Sequence, residues 1–384
     1  MKFKLEGNKK IWWIVAILML ISVVSVYSSI GNLAYLNKGG NTTFYLIKHA
    51  FLLAFGFAII YGMHKTNIIR FSKLAQFALV LGIILLVITM LFGLNLNSAK
   101  RVLPLGFGLT FQPSDIARVG LIMYLSRILA LKQDVITDFK KGFLHVIIPI
   151  IIVCGLIVTA NFSTAALVFI VSIVLLFIGR VSIKHLLALV GIGGIAIVLL
   201  FLTAKVNPDL VPRVTTWENR VEHFFNSDDT EEENYQALQS KIAIASGWPM
   251  GKVIGHSTQR NFLPQSYNDF IYAIIIEQTG LLGAFGVLIL YLGLFSQCTK
   301  IAAKTKNNFG KFLVLGIGFS ITFQAFTNMM VATGLIPVTG QPLPLVSMGG
   351  TSILITCFSI GIILSVSRTT EMNRENKEID EATK

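Results

Sequence analysis

The chain has 384 residues, of which 54% are hydrophobic and only 13% charged, far below the roughly 25% charged residues of a soluble domain. That balance excludes a water-soluble enzyme and leaves little chain for a separate soluble domain. The net charge of +13 does not call for a nucleic-acid partner, because the lysines and arginines lie mostly in short connectors between apolar runs, where cytoplasmic loops carry them.

Taken in chain order, the sequence predicts an all-α polytopic membrane protein, one domain over residues 1–384, with ten segments of spanning length. They are Ile11 to Ile30, Phe44 to Gly62, Leu74 to Gly93, Ser114 to Leu131, Phe143 to Thr159, Ser163 to Gly179, Ile183 to Thr203, Asp269 to Ser296, Lys311 to Thr333 and Thr351 to Ser367. The basic head "MKFKLEGNKK" precedes an apolar run longer than the roughly 7 to 15 residues of a signal peptide, and no A-x-A site follows, so the first span is expected to remain uncleaved. Positive residues then alternate with the connectors. Lys9 and Lys10, Lys65 and Arg70, Lys140 and Lys141, Arg180 and Lys184, Lys300 and Lys304, and Arg368 and Arg374 fall on one side, while the short connectors of the other hold Lys38, Lys100 and Arg101. The positive-inside rule places both tails, 1–10 and 369–384, in the cytoplasm.

The connector 204–268 is expected outside. It holds an acidic stretch, "SDDTEEEN", and a short helix in which Ala237, Leu238, Ile242 and Ala245 share an apolar face suited to the membrane surface. The cysteines, Cys154, Cys298 and Cys357, sit in or at the ends of apolar segments without disulfide or metal spacing and read as packing residues. The six histidines show no ligand pattern, and none is assigned a metal.

Spans that begin outside bring their first residues to one face. Span four opens with "FQPSDIAR", where Asp115 lies in the first turn and Arg118 is within ion-pair reach, either as a helix-start pair or as part of a site. Asp269 opens span eight at the same level, either as a helix-start acid or as a functional one. Glu277 follows about 12 Å deeper, where it needs a buried base or a function to be tolerated. Arg101 and Arg260 add positive charge. The last outer connector, "GLIPVTGQPLPLVSMGGTS", carries no charge and is expected to fold back into the protein. A carboxylate with guanidinium groups and an apolar lining suits an amphiphile with an anionic head, such as a lipid-linked sugar pyrophosphate. A transporter of that amphiphile would want much the same cavity.

Three stretches, "AKRVLPLGFGLTFQPSDIAR", "GHSTQRNFLPQSYNDFIYAIIIEQTG" and "GLIPVTGQPLPLVSMGGTS", closely resemble the motifs of the SEDS family of shape, elongation, division and sporulation proteins, and the resemblance covers essentially the whole chain. "FLPQS" and "TGQPLPLVSMGGTS" are more like the division branch than the elongation branch. The resemblance implies a peptidoglycan glycosyltransferase that polymerises lipid II at the outer face of a bacterial cytoplasmic membrane, at the division septum. Its implied partners are a class B penicillin-binding protein, other division proteins and membrane lipids. Asp269 matches the acid of the family's LPxxxxDF motif and would deprotonate the acceptor hydroxyl directly or through a divalent cation, magnesium or manganese. Arg101, Arg118 and Arg260 would neutralise the leaving pyrophosphate, with Asp115, Gln265 and Ser347 completing the substrate-binding set. Two departures stand out. Asp115 and Arg118 replace the family's usual Glu and Lys, and Asn161 in "ANFSTA" replaces the acid of PDxGTA. An elongation-branch polymerase, a lipid II flippase and a non-catalytic scaffold are the competing readings.

Overall fold

In hydrocarbon every backbone N–H and C=O must be bonded within its own segment, so the apolar runs become helices. The computed structural model describes residues 5–31, 33, 35, 41–96, 99–106, 109–206, 214, 217–218, 220, 224 and 232–382; residues 227–231 of the acidic stretch lie outside these. The apolar helices are α1 (Lys9–Ser29), α2 (Thr42–His64), α3 (Ile68–Phe92), α4 (Pro113–Leu131), α5 (Leu144–Val158), α6 (Phe162–Ile178), α7 (Ile183–Val206), α9 (Ile271–Lys304), α10 (Asn308–Ala332) and α11 (Thr351–Ala382), with a more polar α8 (Glu232–Ser246) between α7 and α9. Among the described residues eight helices are long and apolar enough to cross a membrane, while α6 is apolar but shorter. The remaining long helix, α4, carries Asp115, Arg118 and Arg127. The protein is an all-α polytopic membrane protein in its architecture.

Asparagines set the helix starts. Asn8, Asn41, Asn67, Asn161 and Asn307 each accept hydrogen bonds from the first free N–H groups of α1, α2, α3, α6 and α10. At Asn161 the acid of the family pattern is thus replaced by a helix cap, bonded to the Thr164 amide at 3.1 Å. Small residues set the spacing: a Cβ on Gly120 of α4 would stand 2.6 Å from the Ala78 carbonyl oxygen of α3, so glycine is what allows these two backbones to meet. The most enclosed span is α10, with 72% of its apolar window buried, against 11% for α7. α10 is therefore the central post, packed by α9, α4 and α6, and α7 an outlier.

Four features differ from the sequence reading. Between α3 and α4 the chain forms a small antiparallel sheet, β1 (Leu94–Leu96), β2 (Ala99–Gly106) and β3 (Leu109–Phe111), in that order; the outer strands, of three residues each, are too short to show an alternation in sequence. Secondly, α8 makes a contact the sequence reading lacked, docking on α9 and α10 through Ser240 and Ala243, while Leu238 and Ile242 of its apolar face remain exposed. A third difference is that α11 continues to Ala382, so most of the stretch read as a tail is helix.

The fourth difference bears on the site. The helix α9 begins at Ile271, and Asp269 lies in the turn before it. This helix is broken at Gly280, where φ is 63° and ψ is −148°. A Cβ there would fall 2.1 Å from the Pro249 carbonyl oxygen, because the loop after α8 enters the break. The Leu281 amide donates to Pro249 (3.0 Å), and the Lys252 and Val253 amides donate to the carbonyls of Glu277 (2.9 Å) and Gln278 (3.0 Å). Glycine supplies the left-handed conformation, and the loop satisfies the carbonyls the break releases.

Candidate active site

The uncharged connector between α10 and α11 does fold back, and buried side chains hold it from several helices. Ser22 donates to Val346 O (2.8 Å), Gln324 to Pro342 O (3.0 Å) and Tyr291 to Pro344 O, while Thr351 at the connector's own end donates to Thr110 O of β3 (2.9 Å). Asn328, a polar residue in the apolar run of α10, donates through Nδ2 to both Gln341 O (2.8 Å) and Asp269 O (2.7 Å). Ser347 donates to Asn268 O (2.6 Å) and accepts from the Leu343 amide (2.8 Å), and the Met348 amide donates to Tyr267 O (2.9 Å). This connector and the turn that bears Asp269 are therefore one bonded unit seated on α10.

At its centre stands the Asp269 carboxyl. Its Oδ1 is buried and has no hydrogen-bond partner among the described residues, and a Cβ on Gly340 would lie 3.6 Å from Oδ2. On the same turn, on the connector, on α10 and on the sheet, Asn268 Oδ1, Thr339 Oγ1, Asn328 Oδ1 and the Arg101 Nε are also buried without partners among the described residues. Buried polar atoms in this number are costly without a partner to receive them. Burial raises the Asp269 carboxyl to about 6, against the pull of Arg101 and then Arg220. The Arg101 guanidinium is itself pushed down by burial and by Arg220, with Asp269 drawing it back up. Arg220 is fixed by a bond from Nη1 to Val338 O at 3.2 Å. The site is thus a carboxylate within the electrostatic reach of two guanidinium groups, one from the sheet and one from the 204–268 connector.

The other expected residues are placed differently. Asp115 and Arg118 are buried, with Oδ1 and Nη2 3.5 Å apart, and Arg118 Nη1 donates to Gln324 Oε1 at 2.5 Å. Through Gln324 and Pro342 they brace the folded-back connector, a role beyond a helix-start ion pair. Arg260 is engaged with Ser28 O (3.1 Å) and Gly255 O (3.2 Å), tying the end of α1 to the loop; it is not among the charges acting on Asp269. Ser347 is buried and uses its hydroxyl to hold the turn. Gln265 is exposed at a positive φ of 53°, its amide oxygen accepting from Asn268 at 3.4 Å.

Glu277 answers its own question. It is fully buried and ion-paired with Lys252 Nζ at 3.0 Å. It also accepts from the Thr258 amide (3.0 Å), Thr258 Oγ1 (2.9 Å), the Gln259 amide (3.3 Å) and the Ser257 hydroxyl. It is a fastening for the loop. Sequence reasoning missed Arg220, which sits in a connector without periodicity. It missed Asn328 too, although an amide inside an apolar span was a visible signal.

Comparison with known proteins adds a lineage. The sequence profile of the FtsW/RodA/SpoVE cell cycle proteins matches residues 8–372. A Bacillus subtilis protein described as a probable peptidoglycan glycosyltransferase FtsW is 30% identical over 95% of this chain and 92% of its own length. Among solved structures, a chain described under "Structural coordination of polymerization and crosslinking by a peptidoglycan synthase complex" superimposes with a TM-score of 0.74 at 22% identity, over 96% of this chain and 99% of that one. The rod shape determining protein RodA of Thermus thermophilus does so with 0.68 at 21% identity, over 95% and 97%. The two structures share the fold.

Proposed function

The chain belongs to the FtsW/RodA/SpoVE family of cell cycle proteins, and from that premise we propose that it is a peptidoglycan glycosyltransferase acting on lipid II at the outer face of the cytoplasmic membrane, in septal wall synthesis. The observation that carries the chemistry is the buried, unbonded Oδ1 of Asp269 beside two guanidinium groups. Asp269 is the general base. Its carboxylate takes the proton of the acceptor 4-hydroxyl as that oxygen attacks the donor's anomeric carbon with inversion. The bond from that carbon to the diphosphate oxygen breaks, and undecaprenyl pyrophosphate leaves with the electron pair. A carboxyl at about 6 is ionised at neutral pH and is a better base than an exposed one. Arg101 and Arg220 offset the charge of the departing diphosphate.

Among the described residues no three His, Cys, Asp or Glu side chains stand together to cage a metal. What fits is a magnesium- or manganese-type ion held by one carboxylate and by substrate phosphates. Asp269 would supply the carboxylate, and such an ion would add charge neutralisation at the diphosphate.

The proposal includes ten spans with both termini in the cytoplasm. Reporters fused after Lys304 should read cytoplasm and reporters within Asp228 to Asn234 the outer side; inversion at either point removes the common face. It also includes a single-pass class B penicillin-binding protein paired through membrane helices, with further division proteins around it. Co-purification from cells expressing both tests that pairing. The direct test of function is purified protein, with and without that partner, incubated with lipid II and assayed for glycan polymer. Protein-dependent transport of lipid II across proteoliposomes without polymer would favour the flippase reading instead.

A further inference from the structure

The chemistry above is confined to one end of α9. At its other end, 34 residues on, lies a cavity of about 970 Å³. Its walls are the first residues of α1 and α3, the last of α9, the connector to α10 up to its cap Asn307, and one face of α11 between Val366 and Arg374. Lys9, Lys10, Lys300, Lys304 and Lys306 line it, all exposed, with Arg374 beside them and Glu371 as the one acid in the lining. None of the five lysines has a carboxylate within ion-pair distance among the described residues. Three helices begin on this cavity, capped by Asn8, Asn67 and Asn307, so positive dipole ends add to the ammonium groups. Cations gathered in this way give a positive potential that attracts an anion.

The surroundings indicate which anion. Ile68, Ile69, Ile301 and Val366 give the cavity an apolar side. Ile69 is 56% exposed, and the exposed face it begins continues along α3 through Phe77 and Val80. On α1, Trp13 is 71% exposed just beyond Lys10, an aromatic placed as interfacial tryptophans are. A polar basin thus opens beside a lipid-facing apolar wall. We propose that this cavity binds the phosphate headgroup of an anionic phospholipid of the cytoplasmic leaflet, with its acyl chains along α3. The choice of leaflet rests on the orientation proposed above; the binding rests on neither that orientation nor the glycosyltransferase chemistry.

The test uses the full chain, delipidated in detergent and followed by native mass spectrometry and thermal denaturation. Dioleoyl phosphatidylglycerol, dioleoyl phosphatidylcholine and inorganic phosphate are the probes. Phosphatidylglycerol is expected to bind and stabilise the wild type where phosphatidylcholine does not. Each lysine near the headgroup contributes roughly fivefold, so Lys300→Gln with Lys304→Gln and Lys306→Gln should weaken binding roughly a hundredfold. A control triple, Lys140→Gln with Lys141→Gln and Lys184→Gln, removes equal charge elsewhere on that face and should leave binding unchanged. Lys306→Gln alone, in the connector, should cost about fivefold and serves if the triple fails to fold. Equal binding of the two lipids, or equal weakening by the control triple, overturns the site. Stabilisation by inorganic phosphate that matches the lipid and is lost with the same lysines overturns the lipid assignment in favour of a free phosphate site. Polymerisation of lipid II, assayed on the same preparations, separates any failure here from failure at Asp269.

Discussion

Two carboxylates stand eight residues apart at the head of α9, and their surroundings are opposite. Glu277 is buried and saturated, gripped by Lys252, Ser257, Thr258 and the Gln259 amide. Asp269 is buried at its Oδ1 and left unbonded there, with two guanidinium groups acting on it from a distance. A saturated acid fixes structure, because nothing is left to offer a substrate. An unsaturated one, held by its backbone and not by its side chain, has its bonding capacity in reserve.

The largest expected effect breaks that comparison most directly. Asp269→Asn should lower lipid II polymerisation by at least the 10² to 10⁴-fold typical of a general base, with membrane insertion unchanged. A near wild-type rate for this variant would falsify the mechanism. Wild-type activity should rise with pH through about 6 as Asp269 ionises. Arg101→Gln and Arg220→Gln should each cost roughly 10- to 100-fold, in the range below a lost oxyanion donor. Because both arginines lower the Asp269 carboxyl, losing either should move the acid limb of the pH profile upward. An unmoved limb would place that arginine outside the site.

Glu277→Gln is the mirror experiment. It leaves donors around residue 277 poorly matched, and the loss should appear as roughly 1 to 3 kcal/mol of stability, read by thermal denaturation, with turnover per folded molecule within a few-fold of wild type. A loss of turnover without a loss of stability would erase the distinction between the two acids. The smallest effect is a gain. The folded-state Asp269 lies above its ordinary 3.8, at about 6, so the native state favours the proton. Stability is fully kept below about 3.8 and declines as pH rises to about 6. Asp269→Asn should therefore be more stable than wild type at pH 7, by about 1 to 2 kcal/mol once solvent screening is allowed for, and the advantage should vanish near pH 4.

Much of this was legible in the sequence for physical reasons. Spans announce themselves because lipid demands long apolar runs, and Asp115 and Asp269 stood out as acids beside such runs. The uncharged connector could be read as folded back because it had nothing to offer water. Less visible were features that depend on contacts distant in the chain. Arg220 looks like any connector arginine until the fold brings it to Asp269, and Arg260 resembled a phosphate ligand until its guanidinium was seen bonded to the end of α1. Ser347 is a hydroxyl in a motif whose work is to hold Asn268. The short sheet escaped because its pairing partners, such as Asn95 with Lys100, carry no periodic signal.

The break at Gly280 makes α9 two rods on separate bearings. The upper rod is clamped to the loop by the Lys252 and Val253 amides, whereas the lower one, residues 281–304, buries Val287, Tyr291 and Leu294 against its neighbouring helices. When bilayer thickness changes, a spanning helix accommodates by leaning, and a rigid one would carry that lean to its tip. The break lets the two rods take different axes, so the acid at the head of the helix is aligned by the loop and connector bonds around the upper rod.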